Sequence, residues 1–189
     1  MKKVTLTAAI VFATLTTFAQ GWAMDKAHSR LSFNVTHLMV SDVEGKFKSF
    51  DVSVTSSKDD FTDAVIELSA DISSVNTDND YRDNDLKGAG FFDAAKFPTL
   101  NFKSTSLTKI DAKKYKLKGN LTIHGITKPA ELDVVFNGTF QNPMNKKTVA
   151  GYRIKGTIKR KDFGVGADFP TAVVSDEVEI DANVELGKG

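Results

Sequence analysis

A period of two in hydrophobicity recurs along most of the chain, and it restricts the fold more than any other feature. In the stretch from Phe33 to His37, Phe33, Val35 and His37 fall on one side and Asn34 and Thr36 on the other. That is the pattern of a strand with one buried face and one wet face. About eight such runs can be read, at 30–40, 44–55, 63–73, 99–107, 114–123, 130–140, 149–160 and 177–186. Most joins between them are short and carry turn formers, such as Lys58-Asp59-Asp60 and Asn142-Pro143. Short joins between consecutive strands make antiparallel hairpins. The expected fold is therefore all-β, a single eight-stranded antiparallel barrel.

One face of each run is apolar. The inward frame holds Leu31, Phe33, Val35 and His37, then Ile66, Leu68, Ala70 and Ile72. Further along it holds Tyr115, Leu117, Gly119, Leu121 and Ile123, then Leu132, Val134, Phe136, Gly138 and Phe140. The last two runs add Tyr152, Ile154, Gly156 and Ile158, then Val178, Ile180, Ala182, Val184 and Leu186. Five inward positions are small: Ala70, Gly119, Gly138, Gly156 and Ala182. Glycine within a strand marks a bulge, a bend or the close approach of another group. An eight-stranded barrel is either filled by side chains or holds one small ligand. Reading the small residues as cavity-forming favours the ligand, in an apolar lumen ~20 Å deep. Relief of strain at barrel corners is the competing account. Asn137-Gly138 also reads as a hairpin turn, which would end its strand at Phe136.

Between the third and fourth runs lies a longer insertion. Its segment 78–88 is polar, with Thr77 as an N-cap, acids in the first turn and Gly88 as a stop, which predicts a short helix. Phe91, Phe92 and Phe97 follow. The length suits a lid over one end of the barrel.

The N-terminus is of a different kind. Lys2-Lys3 precedes an uncharged apolar run over 4–18, and Gly21 and Ala23 stand at −3 and −1 of a cut after Ala23. This predicts a secretory signal peptide over 1–23, removed to leave one domain over 24–189, and a periplasmic location. Losing the two lysines takes the formal net charge from +1 to −1, so no basic field points to nucleic acid. The chain has no cysteine, which excludes disulfides, thiolate metal sites and a cysteine nucleophile.

Catalytic patterns are missing. His28, His37 and His124 show no metal-ligand spacing, and there is no Gly-x-Ser-x-Gly elbow. Asp162-Phe163-Gly164 stands without the other kinase elements. No catalytic residue, metal or cofactor is expected. The alternative is an enzyme acting on a lipid head group through His37, His124 or Asp83, and it requires those groups to converge.

Four stretches resemble the YceI-like family of bacterial lipid-binding proteins. They are HSRLSFNVTHLMVSDVEGKFKSF, YRDNDLKGAGFFDAAKFPTLNFKS, LKGNLTIHGITKPAELDV, and GTIKRKDFGV followed by VSDEVEI. Asp85 and Lys159-Arg160-Lys161 depart from the family's usual pattern. The resemblance implies a lipocalin-like barrel whose long pocket takes a polyisoprenoid, quinone-like or fatty-acyl or fatty-amide lipid without turnover. It also implies transient contact with a membrane or another lipid donor or acceptor, and homodimers occur in the family. The expected tail contacts are Phe33, Val35, Leu68, Leu117, Leu121, Phe136, Ile154 and Ile180, with Phe91 and Phe92 at the mouth.

Overall fold

A computed structural model describes residues 20–58 and 61–188. The charged start and the apolar run 4–18 lie outside the described residues. The strands are β1 (Gln20–Met24), β2 (Arg30–His37), β3 (Ser41–Phe47), β4 (Phe50–Ser56), β5 (Val65–Asp71) and β6 (Val75–Asn76). After helix α1 (Asp80–Lys87) come β7 (Thr99–Lys109), β8 (Lys114–Ile123), β9 (Ile126–Gln141), β10 (Thr148–Lys159) and β11 (Glu177–Lys188). All pairings between them are antiparallel. Eight strands close a ring in the order β1, β4, β5, β7, β8, β9, β10, β11, and β11 returns to β1 through the pair Met24↔Leu186. Closure leaves no edge in that ring to template aggregation.

The remaining strands extend the wall at one end. β11 pairs with β1 over its last residues and with β2 further back, at Ile180↔Phe33. β3 lies on β2, and the two-residue β6 lies on β3. The expected second run is thus two strands, β3 and β4, separated at Lys48-Ser49. Each half pairs with a different neighbour, β3 with β2 and β4 with β1.

Two local expectations need correction. Asn137-Gly138 is not a hairpin turn: both residues lie inside β9. Gly138 has φ +121° and faces Gly151, next to a register shift at Gly151/Tyr152, so it forms an irregularity in the ladder. The N-cap of α1 is Asn79, whose side chain accepts from the Arg82 N–H at 3.0 Å, and not Thr77. β1 overlaps the end of the expected signal peptide. Residues Gly21 to Ala23, assigned above to a removed signal, pair with β4 and β11. Trp22 is buried, with its ring 5.3 Å from that of Phe61.

The two barrel ends differ. Far from α1, an aromatic floor fills the bore: Trp22, Phe61, Phe136 and Tyr152 pack together, with Phe136–Tyr152 centroids 5.2 Å apart. Asp63 fixes the loop that carries Phe61. Its carboxylate accepts from Ser56 Oγ at 2.5 Å, from the Ser57 N–H at 3.0 Å and from Ser57 Oγ. These hydrogen bonds, Ser56 foremost, hold the Asp63 carboxyl well below the usual range. At the other end lie the β2–β3 hairpin, the 72–98 insertion and the loop from Arg160 to Asp176.

Candidate functional site

Above the aromatic floor the barrel contains an apolar cavity of about 370 Å³. Its exposed lining residues, His37, Asp85 and Phe169, all belong to the helix end, so the cavity opens there. Phe33, Val35, Leu68, Leu117, Leu121, Ile154 and Ile180 line its wall, and Phe91 and Phe92 line it beside the helix. Phe136 is the exception among the expected contacts. Its inward orientation agrees with the alternation, but its depth places it in the floor against Phe61 and Tyr152.

Four of the five small residues expected to form the cavity do not line it: Ala70, Gly119, Gly138 and Gly156. A Cβ on Gly119 would collide with the ring of Phe102, and one on Gly156 with the side chain of Leu132. Neighbouring side chains already fill both vacated volumes. Ala70 is buried between Phe50 and Leu100 on the adjacent strands and does not line the cavity, and neither does Gly138. Only Ala182 lines it. Gly45, outside the expected set, repeats the arrangement: it faces Phe33 across the β2–β3 ladder, and a Cβ there would strike the Phe33 ring. Gly45, Gly119 and Gly156 therefore act at one remove. Each lets a large neighbour lie along the wall, and the centre stays open.

The mouth is built around Thr77. Its N–H and Oγ1–H donate to Asp83 at 2.7 and 2.6 Å, and Asn76 Nδ2 donates to the same carboxylate at 3.2 Å. Burial alone would raise the Asp83 carboxyl; the hydrogen bonds from Thr77 and Asn76 outweigh it and hold the group below its usual value. Arg82 Nε donates to Thr77 Oγ1 at 2.8 Å and Nη2 to Thr77 O at 2.9 Å. α1 is thereby tied to β6, and Arg82, Asp85 and Leu86 are turned toward the cavity. Beyond the helix, Phe91 stacks on Phe169 at 4.7 Å, and Phe92 packs edge-on to Phe47 at 6.0 Å.

Arg160, which the sequence did not single out for a role, is buried at the same end with 4% exposure. Its Nε donates to Ser175 O, Nη1 to Val165 O and Gly166 O, and Nη2 to Phe169 O and Val174 O. A guanidinium has five N–H donors in a fixed fork, and here all of them bind the carbonyls of one loop. Burial pushes its pKa below the usual value, partly offset by Asp176. Through these bonds it shapes the loop that brings Val165, Phe169 and Val174 to the cavity. In the sequence it is the middle of the basic triplet Lys159-Arg160-Lys161, where nothing distinguishes it from its exposed lysine neighbours.

His37, His124 and Asp83, the groups of the catalytic alternative, each have different neighbours. Asp83 is committed to Thr77 and Asn76. His124 forms a tight turn with Gly125, both at positive φ, and its ring meets Phe97 edge-on at 4.7 Å. His37 stands exposed at the end of β2, bridged to Val174. No hydrogen bond or ion pair among the described residues joins any two of the three. His28 lies in the exposed turn between β1 and β2, with Nδ1 3.1 Å from Asp25 Oδ2. The Asp25 carboxylate holds the His28 ring above its ordinary pKa.

Comparison with known proteins agrees with this architecture. Residues 22–186 match the YceI-like domain. A UPF0312 protein of Staphylococcus aureus (strain bovine RF122 / ET3-1) is 42% identical over 144 residues, covering 76% of this chain and 81% of its own. The crystal structure of the Campylobacter jejuni YCEI protein superposes with a TM-score of 0.74 at 29% identity, covering 100% of this chain and 99% of that one. A polyisoprenoid-binding domain from Saccharophagus degradans shares the fold, with a TM-score of 0.64 at 16% identity over 89% of this chain and 98% of its own. With the domain match spanning the whole barrel from Trp22 in β1 to Leu186 in β11, this chain belongs to the YceI-like family.

Proposed function

We propose that the protein binds one long-chain amphiphilic lipid, a polyisoprenoid, quinone-like or fatty-acyl molecule, and carries or sequesters it in the periplasm without chemical turnover. The observation that carries this reading is the cavity: apolar along its wall, blocked by aromatics at one end and open at the other. A tail lying there leaves water at ~0.8 kcal/mol per methylene, with part of that offset by ordering and association. Phe33, Val35, Leu68, Leu117, Leu121, Ile154 and Ile180 are its proposed contacts, and Phe91 and Phe92 cover it. The polar groups Arg82, Asp85 and His37 stand at the opening, where a head group meets water. Lys2-Lys3 and the apolar run behind them support export, and the polyisoprenoid-binding name of a structural neighbour supports the ligand class.

Native mass spectrometry of the secreted protein, followed by lipid extraction, tests the proposal. A bound species with a long isoprenoid or acyl tail is the expected result. A ligand-free protein that also fails to take up fluorescent polyprenyl and acyl probes would overturn it.

A further inference from the structure

The tip of the β2–β3 hairpin is unusual. Val40 N–H donates to His37 O at 3.1 Å, closing a turn whose central residues, Leu38 and Met39, have φ +50° and +59°. Two consecutive positive φ values define the type I′ hairpin turn, which favours Asn-Gly and disfavours large side chains. Here it carries leucine and methionine, followed by valine. All three are exposed, at 50%, 75% and 83%. The turn therefore holds unfavourable residues in an unfavourable conformation, and its side chains gain no burial in return.

The tip is continuous with the cavity opening. His37, the residue before it, lines the cavity. Leu38 N–H donates to Val173 O at 3.0 Å, which joins the tip to the loop bearing Phe169 and Val174. Phe169 is itself exposed at 39%. Tyr81, 80% exposed, lies one turn before the cavity-lining Asp85 on α1. Apolar and aromatic groups thus stand around the cavity opening at the helix end.

We propose that this rim, led by Leu38, Met39 and Val40, docks on the surface of a lipid bilayer and inserts the hairpin tip among the acyl chains. The inference rests on the lipid-carrier reading: a tail reaching that cavity has to leave a membrane, and the rim surrounds the opening between His37, Asp85 and Phe169. A second copy seated on the rim would close that opening instead. The nearby charges also define the surface. Asp42 accepts from Thr36 beside the hairpin, Asp168 precedes Phe169, and Asp80 and Asp85 share α1 with Arg82 and Lys87, while Lys161 lies at the start of the 160–176 loop, so the two signs are mixed around the rim. Polybasic attraction to anionic lipid is not what these groups supply. The contact is apolar and takes a zwitterionic surface.

The test is Leu38→Asn with Met39→Gly, which gives the turn its preferred residues. Neither position lines the cavity. The variant is expected to melt higher than the parent and to keep its co-purified lipid in native mass spectrometry. Its flotation with phosphatidylcholine vesicles is expected to fall at least ~tenfold, since each lost apolar side chain is worth about that factor or more. Parent binding should be unchanged by salt and by added phosphatidylglycerol. Unchanged flotation of the variant overturns the docking proposal, and so does parent binding that requires phosphatidylglycerol and weakens with salt. A parent dimer that the variant dissociates, with no vesicle binding by either, assigns the tip to a second copy and also overturns it. Loss of bound lipid from the parent itself would count against the carrier reading, which this variant does not touch.

Discussion

The ring of Phe102 lies over Gly119, so closely that a Cβ at residue 119 would collide with ring atoms Cζ and Cε2. The two residues sit on adjacent strands, β7 and β8, and the ring occupies the space that the glycine leaves on the inner wall. A Cβ there would also strike the Lys103 carbonyl oxygen, so Gly119→Ala should both displace Phe102 toward the lumen and strain the β7–β8 ladder. The expected cost is ~1–3 kcal/mol of stability, with less lipid retained. Thermal melting and lipid content measured on the same preparation check this. A variant with unchanged lipid content would show that Phe102 finds another place along the wall.

Arg160 supports the mouth through carbonyls alone. Arg160→Lys keeps the charge but cannot reach five acceptors on one loop. The substitution should cost about 3 kcal/mol or more, because buried acceptors lose their donors. Amide exchange should quicken first in the segment from Val165 to Ser175. Denaturant unfolding gives the total, and hydrogen exchange shows whether the loss starts there.

The Asp83–Thr77 pair makes a pH prediction. The folded pKa of Asp83 lies below its ordinary 3.8. Its contribution to stability is thus fully present above that value and is lost as pH falls through the lower folded one. Asp83→Ala should be less stable than the parent at neutral pH by roughly 1–3 kcal/mol, since the buried Thr77 N–H loses its acceptor. The gap should persist into the carboxylate range and close only below it. Parallel melts from neutral to strongly acidic pH would show the convergence.

Phe91 and Phe92 lean on Phe169 and Phe47 across the opening. Replacing both by alanine should speed lipid release more than it slows uptake. Losing ~1.4 kcal/mol of closing contacts corresponds to about tenfold. Stopped-flow exchange of a fluorescent acyl or polyprenyl probe measures both rates, and an unchanged release rate would remove the lid from the mechanism.

The mature terminus can be predicted from β1. A chain beginning at Met24 would lack Trp22, at a cost of ~3–5 kcal/mol typical for a large aromatic, and would open the ring between β4 and β11. Export should instead be followed by a cut before Gln20, such as after Ala19 with Thr17 at −3. Intact mass of the secreted protein decides the position. A stable, folded product starting at Met24 would show that β1 is dispensable.

Much of the barrel was legible in the sequence because strand alternation is local. Once a run is a strand, each side chain's face follows from its parity, so Phe33, Leu117, Ile154 and Ile180 could be set inward from their neighbours alone. The polar segment before Gly88 likewise marked α1 by composition. How far along the bore a residue sits is not local. It depends on register between strands distant in sequence, and register put Phe136 in the floor and Leu121 in the cavity although their parity is equivalent. The glycine volumes were misread for the same reason: whether Phe102 or a ligand fills the space at Gly119 depends on a partner strand. β1 was missed because five residues beside a signal-like run carry almost no periodic signal. The sequence determined which faces turn inward except beyond the irregularity at Gly138, where Phe140 is exposed; only the closed ring, by fixing depth and cross-strand neighbours, decided which of those faces form floor, wall and mouth.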